Sequence, residues 1–413
     1  MRILVVTQYF WPENFRINDL CAELAKRGHE VTVLTGKPNY PDGEVFKDYR
    51  ENKSAFISYK GCRIVRVPML TRGKGSAIKL LSNYISYVFS ASLWGGWELR
   101  NKQFDVIFVY QPSPVTVCLP AIFIKKCKHI PVVFWVQDLW PETLQAIGVV
   151  KSPKLLSLVG CLVRFIYNRC DLVLGQSRAF HRGIAKYCDY ATKIHYFPNW
   201  SEQIFTQSHI EPVSNIEKCQ DTFKVLFAGN IGEAQDFPAI LKAAQELKNQ
   251  QIKAKILIVG DGRMHDWVQS EVVTRGLEQY LYLLGRHPLE SMPNFYASAD
   301  ALLVTLKNSP IFKMTIPSKV QSYLAAGKPI LTMLSGEGSR VIEEAKCGYI
   351  ADSGDYEQLA SNIVRMSRLS DDELKGLGEN AKFYAEREFD RDTLITQLEH
   401  WFVEVVKTRD ARS

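Results

Sequence analysis

The 413-residue sequence predicts an α/β protein built from two Rossmann-like domains that face each other across a cleft. Three observations carry this. A short apolar run at residues 225–228 is followed by a glycine turn, Gly229-Asn230-Ile231-Gly232, and then by Phe237, Ile240, Leu241, Ala244 and Leu247 at helical spacing. The chain opens with the same grammar, RILVVT and then QYFWPENF. In both halves apolar runs alternate with amphipathic stretches, as a parallel sheet covered by helices requires.

In chain order, residues 2–7 form the first strand, 18–27 an amphipathic helix closed by Gly28, and 29–35 the second strand. Residues 37–53, rich in Pro, Gly, Asp and aromatics, form a loop over the cleft, and 61–68 return as a strand followed by the basic loop Arg72-Gly73-Lys74. The apolar segment 76–97 has nearly the length of a membrane span, but Lys79, Asn83 and several serines interrupt it, and it lies between two strands of one sheet. A core-packed helix is the favoured reading; a helix with one face in the membrane interface is the alternative. Residues 104–110, 131–136 and 172–176 complete the first sheet, with a helix at 155–169. The polar stretch 201–222 crosses to a second sheet at 224–228, 255–259, 280–284, 301–305 and 329–333; the chain is helical from 384 onward. The domains expected are therefore 1–200 and 201–390, with a terminal helix at 391–413 returning to the first.

Residues 1–200 carry 27 Lys and Arg against 14 Asp and Glu, and the remainder 24 against 30. A basic first half suits an anionic partner, and a membrane leaflet or a pyrophosphate-linked substrate fits better than nucleic acid, because no recognition module or aromatic–basic interleaving is present. The nine cysteines include no CxxC pair and no metal-ligand spacing, so buried thiols in a reducing compartment are expected and a zinc site is not. The N-terminal apolar run is too short for a signal peptide and reads as a strand.

The second half places glycine turns and cations after successive strands: residues 229–232, 260–262, Gly285-Arg286, 307–319 and 335–340. Ligands of such sheets bind at the carboxyl ends of the strands. Lys307, Lys313 and Lys319 can neutralise a diphosphate, and Gly336-Glu337-Gly338-Ser339 opens a helix whose N-terminus suits phosphate oxygens. A solvated lysine run and an ordinary capped helix is the bland alternative. GxGxxG is absent after both first strands, which disfavours a dehydrogenase.

The segments AGN-IG, IVGDG, LGR, ASADALLVTL, PSK-x5-AAGKPIL and GEGSRVIEEAKCGYI resemble the donor half of a GT-B glycosyltransferase of family 4. YFWPE, RGHEVTVLTG and QDLWPETL resemble its first half, so the likeness spans nearly the whole chain. It is most similar to bacterial N-acetyl-L-fucosamine transferases of O-antigen and capsule assembly. The resemblance implies a UDP-sugar donor on the second domain, a lipid-diphosphate-linked sugar acceptor on the first, retention of anomeric configuration, no metal and no cofactor. It also implies a peripheral place on the inner face of the cytoplasmic membrane.

By position, Asn230 and Arg286 would contact the donor, with Arg286 beside the base, Ser318 and Lys319 near the diphosphate, and Gly336, Glu337, Gly338 and Ser339 at the sugar–phosphate end. Asp138 and Glu142, just past the strand at 131–136, are the candidate catalytic carboxylates; Asp138 as a helix cap is the structural alternative. Many relatives have histidine where Gln137 stands. Glu13, Asn14 and Arg16 follow the first strand and should face the acceptor or the diphosphate. Two glutamates common in the family fall at Met314 and Ser322, so Gln321 is the expected ribose partner. The family's Arg/Lys pair is replaced by residues 233–236, with Lys307 and Lys313 compensating. A nucleotide-sugar 2-epimerase and a non-catalytic nucleotide-sugar-binding scaffold are the rival readings.

Overall fold

The computed structural model describes residues 1–73, 77–146, 150, 152–206, 213 and 222–411. Lys74, Ser76 and most of the 201–222 crossing, with Cys219, one of the nine cysteines, lie outside them. The chain divides into two compact units, Met1–Pro198 with Asp392–Ser413, and Asn199–Arg391.

The first unit holds an eight-stranded sheet: β1 (Arg2–Val6), β2 (Glu30–Thr35), β3 (Ser58–Tyr59), β4 (Cys62–Arg66), β5 (Val106–Gln111), β6 (Val132–Val136), β7 (Leu172–Gly175) and β8 (Ile194–Tyr196). Its order is β3-β4-β2-β1-β5-β6-β7-β8, parallel except for the β3–β4 edge. Ile3–Val6 and Val106–Val109 are continuously apolar and buried, because helices cover both faces of the sheet. The terminal helix Arg391–Asp410 packs here too: Phe402 meets Phe108 with ring centroids 5.6 Å apart, and Glu399 accepts from Arg27 at 2.7 Å and pairs with His29 at 2.6 Å.

The second unit holds β9 (Phe223–Ala228), β10 (Ala254–Val259), β11 (Leu281–Gly285), β12 (Ala301–Thr305), β13 (Ile330–Met333) and β14 (Gly348–Ala351). Their order, β11-β10-β9-β12-β13-β14, is the 3-2-1-4-5-6 arrangement of the Rossmann fold, with its switch point between β9 and β12. The first unit has the same pattern, its switch point lying between β1 and β5.

Several expectations are corrected. The short strands β3, β8 and β14 were not anticipated; runs of two to four residues carry no usable periodicity. The loop at 37–53 contains a helical turn, Lys47–Glu51, and the terminal helical stretch is two helices, Asp371–Glu388 and Arg391–Asp410. Cys127 and Cys161 are exposed rather than buried. The helix Ala77–Ser90 is not buried by its apolar side: Ile78, Leu81, Ile85 and Phe89 point to solvent, while Asn83 and Tyr87 are fully buried. No helix among the described residues is long and apolar enough to cross a membrane.

Candidate functional site

The second unit's site grows out of its switch point. β9 ends at Ala228, and the chain turns at Gly229, whose φ of +142° lies where L side chains are strained. A Cβ there would stand 2.5 Å from Cε and 2.9 Å from Nζ of Lys319. Lys319 enters from the helix Ser318–Ala325, so glycine makes room for the lysine stem to pass beneath the turn. Its ammonium lies 3.5 Å from the centre of the Phe227 ring and donates to Gln235 Oε1 at 2.9 Å. Among the described residues it has no carboxylate partner, and burial pushes its pKa well down. The neighbouring strands hold the turn: Thr305 Oγ1 donates to the Gln235 carbonyl at 2.5 Å, and the Lys307 amide to that of Ala234 at 2.9 Å.

Beside this turn, Gly229, Asn230, Gly260, Asp261, Gly262 and Arg286 line a cleft of about 410 Å³ at the carboxyl ends of β9, β10 and β11. Asn230 and Arg286 are exposed in it. The helix Glu337–Ala345 starts after Gly336, whose φ is +94° and where a Cβ would stand 2.1 Å from the Lys313 carbonyl oxygen. Lys313 and Ser318 are exposed, Gly338 is buried, and the Lys313 backbone is pressed onto this helix start.

Three expected donor contacts are differently engaged. Glu337 binds Arg340 at 3.0 Å, so its charge is spent one turn along its own helix. The Ser339 hydroxyl donates to the Leu334 carbonyl. Gln321 is buried, and its Nε2 donates to the Asn199 carbonyl at 2.9 Å, which turns it away from an open ribose site. Next to it Ser322 Oγ donates to Glu202 Oε2 at 3.3 Å. A carboxylate therefore does stand against Ser322, brought from 120 residues away by the fold, a separation no sequence pattern reveals.

In the first unit, Glu13 is buried rather than open to a ligand. Its Oε1 accepts from the Asn39 and Tyr40 amides, both at 2.8 Å, and its Oε2 from Phe10 at 3.1 Å. Burial pushes its carboxyl up to about 7 against the pull of these three donors. Glu13 thus ties the loop after β2 to the loop after β1, a positioning role. Asn14 is exposed; Arg16 opens the helix Arg16–Lys26 and lies close enough to Tyr110 for its charge to be felt there.

Asp138 follows β6, and its carboxylate accepts from the Thr143 hydroxyl and, at 3.2 Å, from the Trp140 indole. Burial raises its pKa, and the hydrogen bonds oppose that shift. Its own carbonyl accepts from Gln111 Nε2 at 3.0 Å, joining it to the end of β5. Glu142 goes elsewhere. It pairs with Lys186 at 3.3 Å in a separate cavity of about 490 Å³ that Arg164 and Tyr187 also line. The two candidate carboxylates therefore belong to different surroundings. Among the described residues no three His, Cys, Asp or Glu side chains converge as a metal site.

Comparison with known proteins agrees with this architecture. Residues 14–200 match the family described as glycosyl transferase 4-like domain, and residues 212–383 that of glycosyl transferases group 1. The chain is 28% identical over 306 residues to the probable glycosyltransferase WbjE of Pseudomonas aeruginosa, covering 72% of this chain and 75% of that protein. It is 28% identical over 349 residues to the putative colanic acid biosynthesis glycosyl transferase WcaI of Escherichia coli K12, covering 79% and 82%. Among solved structures, Anabaena HepE in complex with UDP superposes with a TM-score of 0.70 at 15% identity, covering 98% of this chain and all of that one. The fold is GT-B, and the chain is a glycosyltransferase, with a 4-like domain followed by a group 1 domain.

Proposed function

We propose that this glycosyltransferase is a retaining enzyme that moves a sugar from a UDP-sugar to a lipid-diphosphate-linked sugar in surface-polysaccharide assembly. An N-acetylated deoxyhexose such as N-acetyl-L-fucosamine is the proposed cargo. The names of its relatives, which include a colanic acid and an amylovoran biosynthesis glycosyltransferase, support the pathway class, and the UDP held by HepE supports the nucleotide. The reaction would run at the inner face of the cytoplasmic membrane, where lipid-linked acceptors are found.

The single observation that carries this reading is Lys319. A lysine held on an aromatic face, beside a glycine turn at a Rossmann switch point, and answered among the described residues by an amide and no carboxylate, is placed to meet an anion. When the glycosidic bond breaks, its electron pair leaves with the diphosphate, and Lys319 with the start of the helix Glu337–Ala345 stabilises the growing charge. Arg286 and Asn230 flank the base and diphosphate, Lys307, Lys313 and Ser318 border them, and Glu202 stands at the ribose in place of Gln321. Asp138 is the proposed carboxylate for the anomeric carbon as it becomes oxocarbenium-like, and the acceptor oxygen forms the new bond while its proton passes to the departing diphosphate. Asn14 and Arg16 meet the acceptor.

Calorimetry with UDP tests the donor site. Lys319→Ala should weaken binding by about a hundredfold, the worth of a charge-assisted contact in a partly buried site. Unchanged affinity would remove Lys319 from the site. A mass-spectrometric screen of nucleotide sugars with a short lipid-diphosphate-sugar acceptor then identifies the transferred sugar, and a new isomer formed without acceptor would point to epimerisation instead.

A further inference from the structure

We infer that the protein seats itself on a phospholipid leaflet by inserting one apolar helix stripe of the first unit, with cations at the rim of the stripe. This rests on the proposed transfer to a lipid-linked acceptor only for its purpose; the surface itself is argued from geometry.

The helix Ala77–Ser90 continues through a π-type turn, Ala91–Gly95, into Gly96–Glu98. Ile78, Leu81, Ile85, Phe89, Leu93 and Trp97 are each between 47% and 77% exposed. Steps of four residues advance about 40° around an α-helix, so such a row would wind away from one face. The wider π turn takes up that drift and returns Leu93 and Trp97 to the line of Phe89. Trp94 is exposed beside them.

The opposite side is what anchors the helix, and it is polar or small. Tyr87 donates to the Thr7 carbonyl at 3.0 Å, Asn83 accepts from Gln8 at 2.6 Å, Ala91 is fully buried, and a Cβ on Gly95 would stand 2.7 Å from Leu34. This inverts the usual amphipathic helix, whose apolar side meets the core. Six large side chains in one row facing water are a liability that a soluble surface does not need.

The occupant follows from charge. Lys79 is exposed beside the start of the row, Arg100 covers the Trp97 ring at 4.0 Å, Lys102 is exposed just after it, and Lys126 is exposed on the helix Cys118–Lys128, whose Phe123 would lie 3.5 Å from a Cβ on Gly96, while Glu98 is the only acid between residues 77 and 100. Trp beside Arg at the end of an apolar row suits the boundary between headgroups and acyl chains. A second copy on the same stripe would set these cations against their own likes, whereas an anionic leaflet answers them.

Co-sedimentation with vesicles tests this, using phosphatidylcholine alone and phosphatidylcholine mixed with phosphatidylglycerol. The full chain should bind the mixed vesicles with a blue shift of tryptophan emission, and binding should weaken but persist in high salt. The double variant Ile85→Ser/Phe89→Ser should lose about tenfold in vesicle affinity. Transfer to a water-soluble short-chain acceptor should be unchanged, which also reports that the variant is folded. Lys79→Gln/Arg100→Gln should weaken binding to the mixed vesicles at low salt alone. The inference is overturned if the wild-type chain does not sediment, if the Ser variant binds as the wild type does, or if sedimentation velocity finds a dimer that the Ser variant breaks. Wild-type vesicle binding with no sugar transfer would sink the proposed reaction and leave this surface standing.

Discussion

The two switch points share one topology and carry opposite chemistry. Between β9 and β12 the second unit has a glycine turn, a half-buried lysine on a phenyl ring and exposed Arg286; near β1 and β5 the first unit has the buried carboxyl of Glu13 and the half-buried one of Asp138. Burial acts on both in the same sense, towards the neutral form: it lowers Lys319 and raises Glu13 and Asp138. The consequences differ. A lysine whose charge burial disfavours has that charge stabilised when an anion arrives, so the second unit's site is built to be completed by a ligand. Glu13 is already completed by three backbone amides, so it holds structure and needs no ligand. Asp138 stands between these cases, with Thr143, Trp140 and Ser113 as side-chain donors and a raised pKa.

The sharpest way to break the comparison is Asp138→Asn. If the first unit contributes this carboxylate to the chemistry, turnover should fall by about a hundredfold or more, with UDP affinity kept. Where the rate depends on the anion, wild-type activity should rise with pH through a value above that of an ordinary aspartate, since burial raises Asp138; the Asn variant should be flat there. Wild-type turnover in the variant would reduce Asp138 to a partner of Thr143 and Trp140.

Glu13→Ala comes next and should act on stability. It strands three backbone amides in a buried place, at a cost of about 3 kcal/mol in chemical denaturation. UDP binding to the second unit should be untouched. If the variant instead kept its stability and lost acceptor affinity alone, Glu13 would be a ligand contact after all.

Gly229→Ala probes the other side with a smaller effect. The added methyl meets Lys319 Cε at 2.5 Å, and the side chain rather than the backbone is the part that can give way. Lys319 should therefore be displaced from the Phe227 ring, with about tenfold weaker UDP binding and about 1 kcal/mol of destabilisation from the strained φ. A variant that binds UDP normally would show that the lysine works from more than one position.

What the sequence reveals divides along the same line. The parallel sheets were legible because buried strands such as Ile3–Val6 are unbroken apolar runs, and the β9 turn was legible because glycine follows such a run directly. Lys319 is legible as a cation but not as one packed on a phenyl ring, since its neighbours Phe227 and Gln235 belong to another part of the chain. Glu202 was invisible for the same reason. The helix at 77–98 shows a different limit. Its periodicity marks two faces, and nothing in periodicity says which one meets the core. Asn83 and Tyr87 settle that by hydrogen-bonding inward: the helix packs on the core, as the favoured reading has it, and leaves its apolar row to solvent.

The smallest effect is also the most direct reading of the lysine. Burial lowers the Lys319 pKa and a bound diphosphate raises it again, so binding takes up protons in the pH range between the two values. The sign is fixed by the direction of the shift: a lowered lysine lacks a proton that the complex needs, so affinity falls as pH rises. The diphosphate of UDP finishes its own titration near neutrality, so measurements at about pH 8 isolate the protein's share. Calorimetry in two buffers of different ionisation enthalpy should then report an uptake of up to one proton per UDP, and Lys319→Arg, which stays charged throughout, should abolish it. Proton release, or the same uptake in the arginine variant, would place the coupling on another group and leave the ammonium at Phe227 charged from the start.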